Sequence, residues 1–124
     1  MRKKFMRVLM VFGVFAMGGL SQPALAGFES GNSLLTQCSA DNKDVVALTD
    51  CLSYIKGVHD DFMFARLLEG EDSECTPETI TNGQVRDVVI KYLLDNPEER
   101  HQPGPFLVRL AIMTAWPKCS MEPG

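Results

Sequence analysis

The sequence lacks the short motifs that mark the common catalytic and cofactor sites. Beyond residue 26 it contains no GxSxG, HExxH, P-loop or GxGxxG pattern, and these patterns carry the nucleophile, zinc, phosphate and dinucleotide chemistry of large enzyme classes. It has no CxxC, and its two histidines, His59 and His101, do not form an HxxxH pair, so a zinc site is not expected. The sequence therefore predicts neither an enzyme nor a protein that holds a metal or a cofactor.

A cluster of basic residues is also missing after residue 26. Four of the 12 lysines and arginines lie before that position and all 16 acidic residues lie after it, so the remainder carries a formal charge near −8. An acidic domain without a basic patch has no electrostatic footprint for phosphate backbones. We therefore expect no binding of nucleic acid.

The longest apolar run, residues 8–20, is too short to cross a bilayer, which takes roughly 20 apolar residues. It follows the basic segment MRKKFMR and precedes SQPALAG, in which Ala24 and Ala26 frame an A-x-A site. This order is typical of a cleavable secretory signal peptide, and no cysteine follows the site as a lipoprotein anchor would require. We expect residues 1–26 to be removed before Gly27, leaving one exported, periplasmic domain of residues 27–124 without a membrane anchor.

All four cysteines lie in this predicted mature chain. They are Cys38, Cys51, Cys75 and Cys119, and an even number in a short exported chain is typical of a disulfide framework. Four cysteines allow three connectivities, and their number and spacing alone do not choose among them.

The apolar residues recur at helical spacing, and no useful stretch alternates as a strand would. A short helix is expected within GNSLLTQCSA, and a long one from residue 45 to about 69 that Asp44 can cap. The long helix carries one apolar stripe about 100° wide. Its members are Ala47, Leu48, Cys51, Tyr54, Ile55, Val58, Phe62 and Ala65.

Two more helices follow an acidic loop. The third begins at the capping box TNGQ, in which Thr81 and Gln84 satisfy each other's backbone N–H groups, and it ends at Pro97. The fourth covers residues 106 to about 116 with Pro105 in its first turn. Apolar residues nearly encircle it, so we expect it to be the central helix. The predicted fold is an all-α bundle of about four helices stapled by two disulfides.

The segment CLSYIKGVHDDF, residues 51–62, concentrates chemically active side chains. Its Cys51 lies in the middle of the apolar stripe, whereas a catalytic thiolate needs partial exposure and a positive neighbour. His59 lies about 80° away around the helix and about 12 Å along its axis, so the two side chains cannot form a dyad. Asp60 and Asp61 fall on the solvated side. We therefore expect this segment to serve the scaffold.

Several motifs follow one another in order along the predicted mature chain: CLSYIKGVHD, CTP, NGQVRDVVIKYLLDNPEERH and AWPKC. Ahead of them stand Phe28, Gly31, Asn32, Leu34, Leu35 and Cys38. Together they resemble the Rap/Tai immunity proteins of type VI secretion over nearly the whole mature chain. The resemblance implies a periplasmic helical protein, often dimeric, that binds and blocks a peptidoglycan amidase injected by sibling cells. Such amidases resemble papain-like cysteine–histidine enzymes.

We predict the disulfides Cys38–Cys51 and Cys75–Cys119. The first pairs the end of the first helix with the facing side of the second across a short loop, as a helical hairpin allows. The second ties the acidic loop to the C-terminal end of the chain.

The predicted partner-binding residues lie in the polar connection between the third and fourth helices. They are Asp95, Asn96, Glu98, Glu99, Arg100 and His101. Prolines at 97, 103 and 105 stiffen this connection, which lowers the ordering cost of binding, and its carboxylates and imidazole suit a cleft built around a cysteine–histidine pair. A solvated connection without a partner is the alternative. The acidic loop, residues 69–74, is the second candidate surface, and it lacks the spacing and central glycine of a calcium-binding EF-hand.

A homodimer is predicted on the second helix, because Met63, Phe64, Leu67 and Leu68 lie outside its apolar stripe and Gly57 leaves room for another backbone. The alternative is that the fourth helix and the loops cover these residues. Two other functions stay open: a small periplasmic helical chaperone or stress protein, and a structural envelope protein.

Overall fold

The computed structural model describes residues 29–120. Within them the chain forms α1 (Gly31–Cys38), α2 (Val45–Leu68), α3 (Asn82–Asp95) and α4 (Gly104–Ala115), with short 3₁₀ turns at Pro97–Glu99 and Pro117–Cys119. No strand forms in this part of the chain. The predicted signal peptide and its cleavage site lie outside the described residues. The all-α prediction is confirmed.

The predicted capping groups define the starts of α2 and α3. The Asp44 carboxylate accepts from the Ala47 N–H at 3.0 Å. The Thr81 hydroxyl accepts from the Gln84 N–H at 3.2 Å, and the Gln84 side chain accepts from the Thr81 N–H at 2.8 Å. Each bond satisfies an N–H that the helix itself leaves without a partner. α4 begins two residues earlier than predicted, at Gly104, and has Pro105 in its first turn.

The core lies where the four helices meet, and every pair of them is in contact. Five residues of α4 are buried, more than in any other helix, which agrees with its predicted central position. Phe106 is an exception on α4, since half of its surface is exposed. The buried apolar side chains are Leu34, Cys38, Cys51, Ile55, Phe62, Cys75, Val85, Val89, Leu93, Leu107, Val108, Ala111, Ile112 and Cys119.

Both predicted disulfides are confirmed. Cys38–Cys51 joins the end of α1 to α2, and Cys75–Cys119 joins the loop before α3 to the C-terminal 3₁₀ turn. The bonded cysteines are separated by 13 and 44 residues. The chain-entropy model assigns such loops about 3 and 4 kcal/mol of stabilisation.

Of the eight residues in the predicted stripe of α2, Cys51, Ile55 and Phe62 are buried and the other five are half-buried. Ala47 and Leu48, near its start, are only half-buried, whereas Arg66, near its end, is 2 % exposed. Arg66 lies four residues after the buried Phe62 and so shares its face of the helix. Sequence reasoning missed it because arginine is almost never fully buried without partners.

Backbone carbonyls supply those partners. The Arg66 Nε donates to the Asp72 carbonyl at 2.9 Å, and its two terminal nitrogens donate to the carbonyls of Cys119 at 2.8 Å and Lys118 at 3.3 Å. The guanidinium thereby joins the end of α2, the acidic loop and the C-terminal turn.

None of the described helices is long and apolar enough to span a membrane.

Candidate partner-binding loop

The candidate loop, residues 95–101, leaves α3 through a side-chain cap. The N–H and the side-chain amide of Asn96 both donate to the Tyr92 carbonyl, at 3.0 and 2.9 Å. Pro97, which follows, has no N–H with which to continue the helix. It instead opens the Pro97–Glu99 3₁₀ turn.

Arg100 closes the end of α3. Its Nε donates to the Leu93 carbonyl at 2.5 Å and a terminal nitrogen donates to the Leu94 carbonyl at 3.4 Å. These carbonyls belong to the last turn of the helix, where the backbone offers no partner and a cation is favoured. The half-buried Arg100 therefore folds the loop back onto the helix.

The start of α1 holds the other side of the connection. The Asn32 N–H donates to the Arg100 carbonyl at 2.9 Å, and the Gly31 N–H donates to the Gln102 carbonyl at 3.1 Å. Further along, the Gly104 N–H donates to the Glu29 carbonyl. The connection is thus fixed by backbone hydrogen bonds to a distant segment of the chain as well as by its prolines.

Two glycines allow this close approach. A Cβ at Gly31 would lie 2.9 Å from the Arg100 carbonyl oxygen, and one at Gly104 would lie 2.7 Å from the Glu29 carbonyl oxygen and 2.8 Å from the Tyr54 hydroxyl. The carbonyl oxygens of Arg100 and Glu29 each accept a backbone hydrogen bond, from Asn32 and Gly104, so this backbone is held in place. Sequence reasoning missed this requirement, because the segments that meet are about 70 residues apart in the chain.

Glu99 accepts a hydrogen bond from the Tyr92 hydroxyl at 2.7 Å. Burial, followed by this hydrogen bond and the charges of Glu99 and Glu98, raises the pKa of Tyr92 to about 12. A tyrosine hydroxyl is protonated at neutral pH in any case, and the raised pKa keeps it a donor to Glu99 at more alkaline pH as well. The bond connects the 3₁₀ turn of the loop to the side of α3.

The six predicted partner-binding residues lie in one connection, but they differ in how far their side chains are engaged within the fold. Asn96, Glu99 and Arg100 bond within the fold, as described above. Asp95, Glu98 and His101 are exposed. Asp95 pairs with Lys91 at 2.6 Å, and such an exposed pair contributes little. The His101 Nδ1 lies 2.9 Å from the Glu98 carbonyl oxygen, so this edge of the exposed imidazole is turned toward the loop backbone.

The second candidate surface, the acidic loop, is also held in place. Arg66 donates to the Asp72 carbonyl, and the Glu74 N–H donates to the Asp72 carboxylate at 2.9 Å. Gly70 adopts a φ of 76°, a left-handed conformation that favours glycine. The exposed carboxylates of Glu69, Glu71, Asp72 and Glu74 surround this turn.

The chemically suggestive segment 51–62 lies along α2. Cys51 is fully buried in its disulfide. His59 Nδ1 is 3.6 Å from Asp60, and Asp61 pairs with Arg109 of α4. Within residues 29–120, no group of three or more His, Cys, Asp or Glu residues is arranged to hold a metal ion.

Comparison with known families assigns the chain. A family model described as Rap1a immunity proteins matches residues 30–119, which include all four helices and both disulfides. The chain belongs to the Rap1a immunity protein family. This confirms the resemblance noted in the sequence. Searches among the curated proteins and among the solved structures found no match.

The match gives this Rap1a immunity protein a general function. The family suggests immunity against effectors, which implies that the chain binds a cognate effector. Proteins of the family are typically exported and generally non-enzymatic. Both candidate surfaces lie inside the matched region.

Proposed function

We propose that this protein acts in the periplasm, where it binds and blocks a peptidoglycan amidase effector of type VI secretion. Membership of the Rap1a immunity family carries the proposal. The amidase class follows from the motif order, which resembles proteins that block cysteine–histidine amidases. The signal-peptide pattern supports export.

The candidate loop supports a blocking role for physical reasons. Blocking a hydrolase needs only a shape that fills or covers its cleft, and no catalytic group. The loop is held by Arg100, by Asn96 and by the start of α1, so little conformational entropy remains to be lost on binding. It presents Glu98 and His101 to solvent, and hydrogen bonds between charged groups are the stronger ones at such a contact.

The α2 face supports a homodimer as part of the same proposal. Phe64, Leu67 and Leu68 are 57, 58 and 71 % exposed, and a Cβ at Gly57 would meet nothing within 4 Å. A second copy placed on this face covers the three apolar side chains. Met63, the fourth residue of the predicted set, is half-buried against the core of its own chain, so it contributes less to this face.

The decisive experiment is an inhibition assay with the mature chain from Gly27. The probe is a purified cysteine–histidine peptidoglycan amidase of the proposed effector class, sought first among the products of the neighbouring genes, and the measurement is its hydrolysis of purified peptidoglycan. We expect inhibition at equal molar amounts. An amidase that stays fully active would contradict the proposed function, and suppression of client aggregation at low pH would favour the chaperone alternative.

The structure also selects the variants for this assay. Replacing Glu99 or Arg100 would break bonds to α3 and disturb the fold, so their loss would not isolate a contact with the partner. Glu98→Ala combined with His101→Ala changes exposed side chains, and we expect it to weaken inhibition. Glu69→Ala combined with Glu74→Ala tests the acidic loop in the same way. Equal weakening by both pairs would count against the candidate loop as the main surface.

A further inference from the structure

A surface pocket of about 210 Å³ lies between α3 and α4. Its apolar wall is formed by Val88 and Tyr92 of α3 and by Ala111 and Ala115 of α4. The two alanines are four residues apart and share a face of α4. Because they are small, they leave space beside the larger side chains of α3.

The size and lining of the pocket suit one apolar side chain. An apolar cavity of about 150 Å³ is large enough to bind benzene, so this pocket has room for a phenylalanine- or leucine-sized group. Polar side chains line the rest of it: the exposed Lys91, Asp95 and Thr114 and the half-buried Asn96. An apolar centre with a polar rim is the anatomy of the energetically dominant part of protein interfaces.

The pocket is continuous with the candidate loop. Asp95 and Asn96 belong to both. Tyr92, which forms part of the pocket wall, donates its hydroxyl to Glu99 of the loop, and the Asn96 side chain donates to the Tyr92 carbonyl. A molecule that contacts the exposed side chains of the loop is therefore placed beside the pocket.

We propose that this α3–α4 pocket receives an apolar, leucine- or phenylalanine-sized side chain of the effector, while Glu98 and His101 contact the polar surface around it. This inference rests on the proposed function. The effector is chosen as the occupant because family membership implies an effector partner and because the pocket shares Asp95 and Asn96 with the candidate loop. The exposed apolar residues Phe64, Leu67 and Leu68, which a second copy would cover, all lie on α2.

Thr114→Phe tests the pocket by filling it. Thr114 is exposed, so the new ring can occupy the pocket without entering the core. The matched control is Thr49→Phe, the same substitution at an exposed position of α2 that does not line the pocket. We expect Thr114→Phe to weaken inhibition of the amidase probe at least about ten-fold, as loss of an interface anchor does, and Thr49→Phe to leave it unchanged. Thermal melting and sedimentation of both variants check that fold and oligomeric state are retained.

The outcomes separate the two proposals. Failure of the unaltered chain to inhibit would overturn the proposed function and the pocket together. Full inhibition by Thr114→Phe, with the unaltered chain active, would overturn the pocket alone. A change in oligomeric state caused by Thr114→Phe would assign the pocket to contact between copies and would also overturn it. As a second measurement, amide hydrogen exchange in residues 88–96 and 111–115 is expected to slow when the amidase is added to the unaltered chain.

Discussion

At the residue scale, Arg66 is the buried charged side chain of the described core. Burying a guanidinium is costly unless its donors are satisfied, and here three carbonyls, those of Asp72, Lys118 and Cys119, accept from it. The nearest carboxylate, on Glu71, is 3.9 Å away and partly exposed. The planar fork of arginine, with five N–H donors, suits acceptors that lie on separate segments.

We therefore expect Arg66→Lys to destabilise the protein although it keeps the charge. An ammonium cannot reach all three carbonyls, and each buried group left without a partner costs about 1–3 kcal/mol. The expected loss is roughly 2–3 kcal/mol in the free energy of unfolding, measured by urea denaturation. Arg86→Lys is the control, because Arg86 pairs only with its exposed neighbour Asp87 and its replacement should change stability by less than about 0.5 kcal/mol. Equal losses in the two variants would contradict the role given to Arg66.

At the element scale, α2 has two apolar faces, one packed into the core and one exposed. One face carries Cys51, Ile55, Phe62 and Arg66 into the core, while the opposite face carries Gly57 and Phe64, which lie two turns apart in line along the helix. Val46 lies on the same line but at the other end of α2, away from the cluster of Phe64, Leu67 and Leu68, and is 72 % exposed. A long helix with apolar residues outside its buried stripe has a second face to cover.

The dimer proposed on this helix can be tested with one charge. Phe64→Glu places a carboxylate in the centre of the proposed contact, so we expect it to shift the mature chain from dimer to monomer in sedimentation equilibrium. Val46→Glu adds the same charge on the same line of the helix, about 27 Å away at 1.5 Å per residue, and should leave the dimer intact. A monomeric mass for the unaltered chain at all concentrations would refute the dimer.

At the scale of the whole molecule, two cross-links and Arg66 join segments that are distant in the sequence. Cys75–Cys119 closes the larger loop, and the carbonyls of Lys118 and Cys119 beside it accept hydrogen bonds from Arg66. Cys38–Cys51 closes a short loop between adjacent helices. The Cys75–Cys119 disulfide therefore also helps to keep the acceptors of the buried Arg66 in place.

We expect the two disulfides to differ in their contribution to stability. Replacing Cys38 and Cys51 by alanine should cost about 3 kcal/mol by loop entropy, and replacing Cys75 and Cys119 should cost more than about 4 kcal/mol because Arg66 also loses acceptors. In a domain of this size each kcal/mol lowers the melting temperature by about 4–8 °C. Calorimetry of the two double variants, each of which removes two buried sulfurs, measures the difference. A larger loss for the Cys38–Cys51 pair would contradict the support of Arg66 by the Cys75–Cys119 disulfide.

The local features of the fold could be derived from the sequence alone. Asp44, Thr81 and Gln84 cap neighbouring N–H groups, and Pro97 lacks the N–H that would extend α3, so each acts on residues within one turn of itself. The disulfide pairing was also predicted correctly, because the order of the helices brings Cys38 opposite Cys51. Sequence reasoning also located the candidate loop correctly between α3 and α4, because its residues follow one another between the two predicted helices.

Contacts between distant segments were decided only by the tertiary structure. Arg66 meets the carbonyl of Cys119, 53 residues away, and Gly31 and Gly104 are needed because α1 approaches the candidate loop closely. Tertiary packing also decides which side chains of that loop bond within the fold and which stay exposed. Those that bond are Asn96, Glu99 and Arg100, and those that stay exposed are Asp95, Glu98 and His101. The amino-acid types and their periodicity determine which elements form. Which carbonyl lies near a buried guanidinium, and which helix face leaves a pocket, depends on how the elements pack, because these contacts join groups with no local relation in the chain.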